Sequence, residues 1–419
     1  QSTGRAAHEY RKETSMTIHA QQWTPEHTAE QQSTWADPEK LTQVSRWLQQ
    51  QKELVTPKEV ASLRQQMNDV SRGNKMFFQA GDCVEPYNEF DDTSITKKIK
   101  FINELATMLA YADNTSVVKV GRIAGQFAKP RSNGYEIVEG HKLPVFRGEI
   151  VNGYEATEES RTPNPSRMYE AYKLSKHAMH LLAHTQPEKS RVWTSHEALI
   201  LDYEAAFVRQ NPITGKHYLG TTHLPWVGER TRGINGAHIE LLQKVNNTVA
   251  VKIGPHMTGN GLKALCESLN PHQEDGRLVL IFRLGVAAAK KYSSLLLKEL
   301  QQHSKNTMIV IDPMHGNTQR AQNGRKTRSL NDIENEMRIF ASAARANSAR
   351  IHGIHLEATP YDVTECVGLG VSEDDLLRRT YTTLCDPRLN AEQAMHIVQV
   401  FRESLYRESY MLFPAWNLL

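Results

Sequence analysis

Val249-Ala250-Val251-Lys252-Ile253, a helical pattern over 262–269, Leu278-Val279-Leu280-Ile281-Phe282, a second helical pattern over 286–302, then Met308-Ile309-Val310-Ile311: this stretch decides the fold. Short apolar runs separated by helical patterns read as parallel strands joined by crossovers, because parallel neighbours cannot be linked by a tight turn. Working outward, the same unit recurs, with apolar runs at 76–80, 117–120, 191–194, 223–227 and 351–356 and helical patterns at 95–109 and 332–344. Eight such runs predict a closed (β/α)8 barrel, with an open doubly wound sheet as the alternative topology. The long segment 126–190 holds an amphipathic stretch at 167–183. Asn211-Pro212-Ile213-Thr214-Gly215-Lys216, between Val208 and Tyr218, predicts a small inserted hairpin.

Before the barrel, residues 16–75 read as an N-terminal helical extension. Asp37-Pro38 and Thr56-Pro57 each open a helix, the second carrying Val60, Leu63, Met67 and Val70 at helical spacing. Residues 1–15 are polar, lack an apolar signal core and read as a leader ahead of Met16. Residues 76–419 read as the catalytic barrel, with Phe413-Pro414-Ala415-Trp416 as an apolar tail docked on it. The 419 residues carry 50 basic and 47 acidic side chains, a net charge of +3, so nothing argues for nucleic acid as partner. No apolar run approaches the roughly 20 residues that span a bilayer, which argues against a membrane. Four cysteines (Cys83, Cys266, Cys366, Cys385) are too few for a disulfide framework and suit a reducing, cytoplasmic setting.

Active sites of barrels lie at the carboxyl ends of the strands. Here those ends carry Asp82-Cys83, Gly121-Arg122, His196-Glu197, Glu229-Arg230, Lys252, Arg283, His315 and Glu357. Crowded charge costs free energy unless it meets partners, so this convergence points to a ligand site. Arg122, Arg230, Lys252 and Arg283 suit phosphate or carboxylate oxygens, and Lys129-Pro130-Arg131-Ser132 adds two cations and a hydroxyl. Singly, any of these arginines could form a surface salt bridge; together they predict one or two substrates with several negative charges. Cys83, His315, Glu357 and Asp386 offer a thiolate, an imidazole and two carboxylates, a set that fits divalent Mn, Co, Fe or Zn. Their spacing lends no support. Taken alone, Cys83 reads as a buried thiol, His315 as a base or phosphate ligand, and Asp386 as a helix cap. Cys266 and Cys366 read as packing thiols, and Cys385 is expected close to Cys83. His352 and His355 lie on opposite faces of one strand, so one must point outward.

The motifs resemble those of type II 3-deoxy-D-arabino-heptulosonate 7-phosphate (DAHP) synthases, in a short form. The resemblance rests on Gln79-Ala80-Gly81-Asp82-Cys83, Val120-Gly121-Arg122-Ile123-Ala124-Gly125-Gln126 with Lys129-Pro130-Arg131-Ser132, and Thr194-Ser195-His196-Glu197. It continues through Gly228-Glu229-Arg230-Thr231-Arg232, Val251-Lys252-Ile253-Gly254-Pro255 and Asp312-Pro313-Met314-His315-Gly316-Asn317. It closes with His355-Leu356-Glu357-Ala358-Thr359 and Asp386-Pro387-Arg388-Leu389-Asn390, all in the family's order. The resemblance implies condensation of phosphoenolpyruvate with erythrose 4-phosphate, the first step toward aromatic compounds. It implies one divalent metal ion, Mn²⁺ or Co²⁺ before Fe²⁺ or Zn²⁺, on Cys83, His315, Glu357 and Asp386. It implies phosphoenolpyruvate at Arg122, Glu229, Arg230, Lys252, Arg283 and His315, and erythrose 4-phosphate at Lys129, Arg131 and Ser132. Glu197 and Trp226 would line the pocket, and Lys252, Glu229 and His315 would be catalytic.

It further implies a homo-oligomer, dimer or tetramer, with the N-terminal helices as interface. Because the segment matching 126–191 is shorter than in long family members, feedback by aromatic amino acids is expected to be weak. Two other readings of the same residues are a different metal-dependent barrel lyase or hydrolase, and a non-catalytic barrel that binds phosphometabolites. The Lys129–Ser132 cluster beside Arg230, Lys252 and Arg283 favours two anionic substrates over the first, and the metal-capable set argues against the second.

Overall fold

The structure is a computed structural model that describes residues 27–110, 116–138, 140–187 and 190–406. Residues 1–15, Met16 and the 413–416 tail lie outside the described residues. Eight parallel strands close into a barrel: β1 (Lys75–Gly81), β2 (Ser116–Arg122), β3 (Trp193–Glu197), β4 (Leu224–Val227), β5 (Val249–Ile253), β6 (Leu278–Phe282), β7 (Met308–Ile311) and β8 (Gly353–Glu357). Each strand pairs with its chain neighbours, and β8 returns to β1 with Leu356 opposite Ala80 and Glu357 opposite Gly81. At that seam a Cβ on Gly353 would sit 1.9 Å from the Phe77 carbonyl oxygen, so closure requires glycine there. The eight runs read from the sequence are these eight strands, with ends moved by up to three residues.

Helices α1 (Pro38–Gln49) and α2 (Pro57–Ser71) precede the barrel; α3 (Asp92–Ala110), α4 (Arg167–Thr185), α5 (Ala237–Lys244), α6 (Gly259–Leu269), α7 (Val286–His303), α8 (Leu330–Ala346) and α9 (Ala391–Tyr406) follow strands. The two sequence-read helix starts have physical caps. Asp37 accepts from the Lys40 amide, and Thr56 forms a reciprocal capping box with Glu59. Residues 27–36 form no helix and run across the barrel as an extended strap. The 208–219 hairpin forms around the Asn211–Lys216 turn as expected, and a further hairpin pairs Tyr135–Val138 with His141–Pro144. Among the described residues no helix is long and apolar enough to cross a membrane.

Strand alternation splits the apolar side chains into two cores. Val249, Val251 and Ile253 of β5, with Leu278, Leu280 and Phe282 of β6, pack outward against the helices. The intervening Ala250, Val279 and Ile281 join Phe77, Val118, Val120, Trp193, Leu224, Met308 and Val310 inside. Leu63, Met67 and Val70 of α2 belong to this inner cluster, so α2 plugs the amino-terminal mouth of the barrel. Burying each such side chain contributes roughly 1.5–3 kcal/mol. With that end stoppered, the carboxyl end is left for polar chemistry.

Candidate active site

The same alternation that lines the lower barrel with Val, Ile and Phe places polar groups on the inward positions above them. Gln79, Arg122, Lys252, Asp312, His355 and Glu357 are all buried and meet there. Lys252 pairs with Asp312 and lies 2.9 Å from His355 Nε2, while His355 Nδ1 contacts Gln79 Oε1 at 2.8 Å. Arg122 Nη1 donates to Glu357 Oε1 at 3.1 Å, and its Nη2 to the Cys83 carbonyl at 2.9 Å. The Trp226 ring packs beneath two cations, 5.4 Å from the Arg122 guanidinium carbon and 5.2 Å from Lys252 Nζ. Burial lowers the Lys252 ammonium to about 8; Asp312 opposes that shift and Arg122 reinforces it. Burial alone would raise Asp312, but His315, Lys252 and His355 outweigh it and hold the carboxylate well below its usual range.

Beside this group, one ligand atom each of Cys83, Glu357 and Asp386 lie within 4.8 Å of one another. His315 reaches Glu357 Oε1 through Nε2 at 2.8 Å and its Nδ1 is 2.7 Å from Asp312 Oδ2, and with Asp312 and His355 it makes a second such group. A thiol and two carboxylates at this separation, with the His315 imidazole joined to them through Glu357, are a donor set that fits a divalent transition ion. The set already takes positive charge: Lys129 Nζ is 2.8 Å from Cys83 Sγ and 2.7 Å from Asp386 Oδ2. Lys326 Nζ approaches Asp386 Oδ1 at 2.8 Å and Arg328 Nη2 approaches Glu357 Oε2 at 2.7 Å. Burial pushes the Cys83 thiol well up, reinforced by its hydrogen bond with Cys385 and by Glu357. The thiols of Cys83 and Cys385 thus lie side by side, and both are free.

Above the metal-capable set opens a cavity of about 470 Å³ lined by Lys129, Arg131, Ser132, Arg230, Arg320, Lys326 and Cys385, among others. Arg230 Nη2 donates to Ser132 Oγ at 2.8 Å, joining the loops after β4 and β2. Arg131 is held by Glu136 Oε2 and the Phe146 carbonyl, at 2.8 and 2.9 Å. Lys129, grouped with Arg131 and Ser132 in the sequence, has its ammonium drawn instead to Cys83 and Asp386, at the join of the two regions.

Arg283 follows the inward positions Val279 and Ile281 by parity, and its Nη2 donates to the His315 carbonyl at 2.6 Å. Glu229 is gripped by Arg232, at 3.0 and 2.5 Å, and by the Gly254 amide at 2.7 Å. Glu197 is buried against Lys129, Arg122, Lys252 and Arg230, and burial raises its carboxyl in spite of them. Buried polar atoms lacking a protein partner include Arg122 Nε, Arg283 Nε, Glu197 Oε1 and Trp226 Nε1. Buried polar atoms are normally paired, so four orphans on one face point to a polar ligand.

Sequence reasoning assigned no role to Gln79, Asp312, His355, Arg320, Lys326 or Arg328. Counting by twos back from Glu357 finds His355, and back from Gly81 finds Gln79; the other four had no signal in spacing. His196, named at a strand end, faces outward to Glu204 at 2.8 Å. His352 also points away from the barrel axis, lining a cleft with Ala341 and Ala344 of α8.

The profile of the class-II DAHP synthetase family matches residues 18–190 and 182–401. A probable phospho-2-dehydro-3-deoxyheptonate aldolase of Pseudomonas fluorescens is 38% identical over 382 residues, 89% of this chain and 94% of that protein. A phospho-2-dehydro-3-deoxyheptonate aldolase of Streptomyces coelicolor is 34% identical over 91% of this chain and 96% of that protein. The solved phospho-2-dehydro-3-deoxyheptonate aldolase of Francisella tularensis shares the fold, with TM-score 0.52 at 13% identity, covering 90% of this chain and 98% of that one. A profile that spans the barrel from end to end, and relatives matched over nearly their whole length, place this chain in the class-II DAHP synthetase family of enzymes.

Proposed function

We propose that this enzyme condenses phosphoenolpyruvate with erythrose 4-phosphate and water, releasing phosphate and the seven-carbon keto acid 7-phosphate. The observation that carries the reading is the pairing of two cationic regions. One holds orphaned donors around Lys252, and the other is the cavity lined by Lys129, Arg131 and Ser132, with Arg230 at the join of the two. Two anion-binding regions side by side suit two phosphorylated substrates better than one.

In this reading Arg122, Arg230, Lys252 and Arg283 hold the carboxylate and phosphate of phosphoenolpyruvate, with His315 and Glu229 beside it. Arg131, Ser132 and Lys129 take the sugar phosphate, and Glu197 and Trp226 wall the space between. A divalent ion on Cys83, His315, Glu357 and Asp386, Mn²⁺ or Co²⁺ by preference, would supply Lewis acidity at the sugar aldehyde. The chain itself fixes the enol carbon against the aldehyde carbon, so binding energy is converted into proximity. As the new C–C bond forms, C2 of phosphoenolpyruvate becomes electron-poor; water adds there and the C–O bond to phosphate breaks. Lys252, Glu229 and His315 are the groups proposed to move protons. Lys252 suits the task because burial leaves its ammonium readily deprotonated.

The test is phosphate release from phosphoenolpyruvate by metal-depleted protein, with and without erythrose 4-phosphate and added Mn²⁺ or Co²⁺. Release is expected only when sugar and metal are both present. Folded, metal-loaded protein that releases none would overturn the assignment.

A further inference from the structure

The strap of residues 27–36 has no part in the proposed chemistry, yet it crosses the catalytic face and touches three of its loops. The Gln31 side-chain oxygen accepts from the backbone N–H of Arg131 at 2.8 Å. Its own backbone has φ 62, the left-handed region that non-glycine residues seldom adopt and that persists where surrounding contacts hold it. On one side Gln32 bonds the Leu199 carbonyl at 2.8 Å and the Leu201 amide at 3.0 Å, and Trp35 Nε1 donates to Asp202 at 2.8 Å. On the other side Thr28 bridges to Gly236, its carbonyl accepting from Ala237 N at 3.1 Å, and His27 lies 3.2 Å from Glu240. One segment therefore ties the loops after β2, β3 and β4. The first and last of these supply Ser132 and Arg230, which meet across the sugar-phosphate cavity.

We infer that Gln31 is a positioning residue for the phosphate end of the sugar substrate, fixing the backbone at Arg131 and through it Arg131 and Ser132. The inference rests on the reading of that cavity given above. The physical argument is one of tolerance. A guanidinium and a hydroxyl hold a phosphate only when set to within a fraction of an ångström, and a misplacement of about 1 Å can cost about 10²-fold. Both side chains stand on a loop at the open end of the barrel, and Gln31 supplies the acceptor for the Arg131 backbone N–H. The anchors of Gln32, Trp35 and Thr28 hold the strap in place, so the left-handed turn at Gln31 presents its amide to a defined point.

Three full-length variants separate positioning from mere folding. Gln31→Leu keeps bulk and removes the acceptor, Gln31→Glu keeps an acceptor, and Gln31→Gly removes the acceptor while relieving the left-handed backbone. KM for erythrose 4-phosphate is expected to rise about tenfold in the Leu and Gly variants. KM for phosphoenolpyruvate and Mn²⁺ affinity should be unchanged, and Gln31→Glu should stay near wild type. The Gly variant should melt no lower than the Leu variant, and inorganic phosphate, used as probe, should bind both more weakly than wild type. A wild-type KM for the sugar in Gln31→Leu would overturn the inference. So would a parallel rise of both KM values with a lowered melting temperature, since that is the mark of general destabilisation. If wild-type protein shows no sugar-dependent phosphate release at all, the functional reading has failed, and this inference falls with it.

Discussion

Two lysines at the same end of the barrel are built into opposite environments. Lys252 is buried on the barrel axis with a single carboxylate partner, Asp312, and Arg122 nearby as a like charge; burial wins, and the amine holds its proton only to about pH 8. Lys129 sits beside Asp386, with Glu357 and the Cys83 sulfur nearby, and although burial works against its charge, the carboxylates, Asp386 first, hold the ammonium well above the usual range. The same side chain is thus left readily deprotonated in one half of the site and held as a fixed cation in the other. The balance of desolvation against neighbouring charge decides which. The halves differ in openness too. Asp312, His355 and Glu357 are fully buried, whereas Arg320 on the wall of the outer cavity is exposed.

The largest effect should come from the inner half. Lys252→Met keeps the length of the chain but removes the proton and leaves Asp312 with the two histidines and the Met314 and His315 amides. Turnover is expected to fall about 10³-fold, within the range of lost acid–base groups, in protein whose circular dichroism is unchanged. Retention of more than about a tenth of the wild-type rate would show that the inner half is not where bonds are made.

Arg320→Ala probes the outer half, where the guanidinium is exposed and, among the described residues, bonds only the Gly324 carbonyl, at 2.7 Å. KM for erythrose 4-phosphate should rise about fivefold at low salt and less at high salt, with KM for phosphoenolpyruvate within about twofold. An equal rise for both substrates would erase the division into halves.

The smallest effect concerns the frame under the inner half. Glu336 of α8 accepts from the amides of Leu284 and Gly285 at 2.8 and 2.9 Å and from Asn317 Nδ2 at 2.7 Å, joining the loops that carry Arg283 and His315. Burial pushes its carboxyl up to about 8 in spite of these donors. A carboxyl raised above its unfolded value near 4.5 contributes full stability below that value and loses it as pH rises through the folded one. Between pH 6 and 9 the wild-type melting temperature should therefore fall by a few degrees more than that of Glu336→Gln, which cannot ionise. Parallel melting curves would show that Glu336 is ionised throughout, and that the inner half rests on a permanent charge.

Much of the architecture was legible because burial leaves a periodic trace. In β5 the alternation of Val249, Val251 and Ile253 with Ala250 and Lys252 already separates the helix-facing side from the axis. Lys252 stands out there as the charge among apolar neighbours. The strap left no such trace: His27, Thr28, Gln31 and Gln32 are ordinary polar residues, and their partners, such as Asn235 for His27, lie as much as 208 positions away or more. Lys326 and Arg328 were silent for the same reason, since their targets, Asp386 and Glu357, come from other segments.

What the sequence by itself determined is the alternation of strand and helix, the inward parity of Arg122, Lys252 and Glu357, and the motif order that marks the family. These follow from local geometry, since a period of two or 3.6 needs no distant partner. Only the tertiary structure decided which charges meet. Cys83 and Asp386 are 303 positions apart yet their side chains lie 3.7 Å from each other, and Lys129 reaches both. No spacing rule encodes such a contact, because it exists only once β8 has closed against β1 and brought the two ends of the barrel chain together.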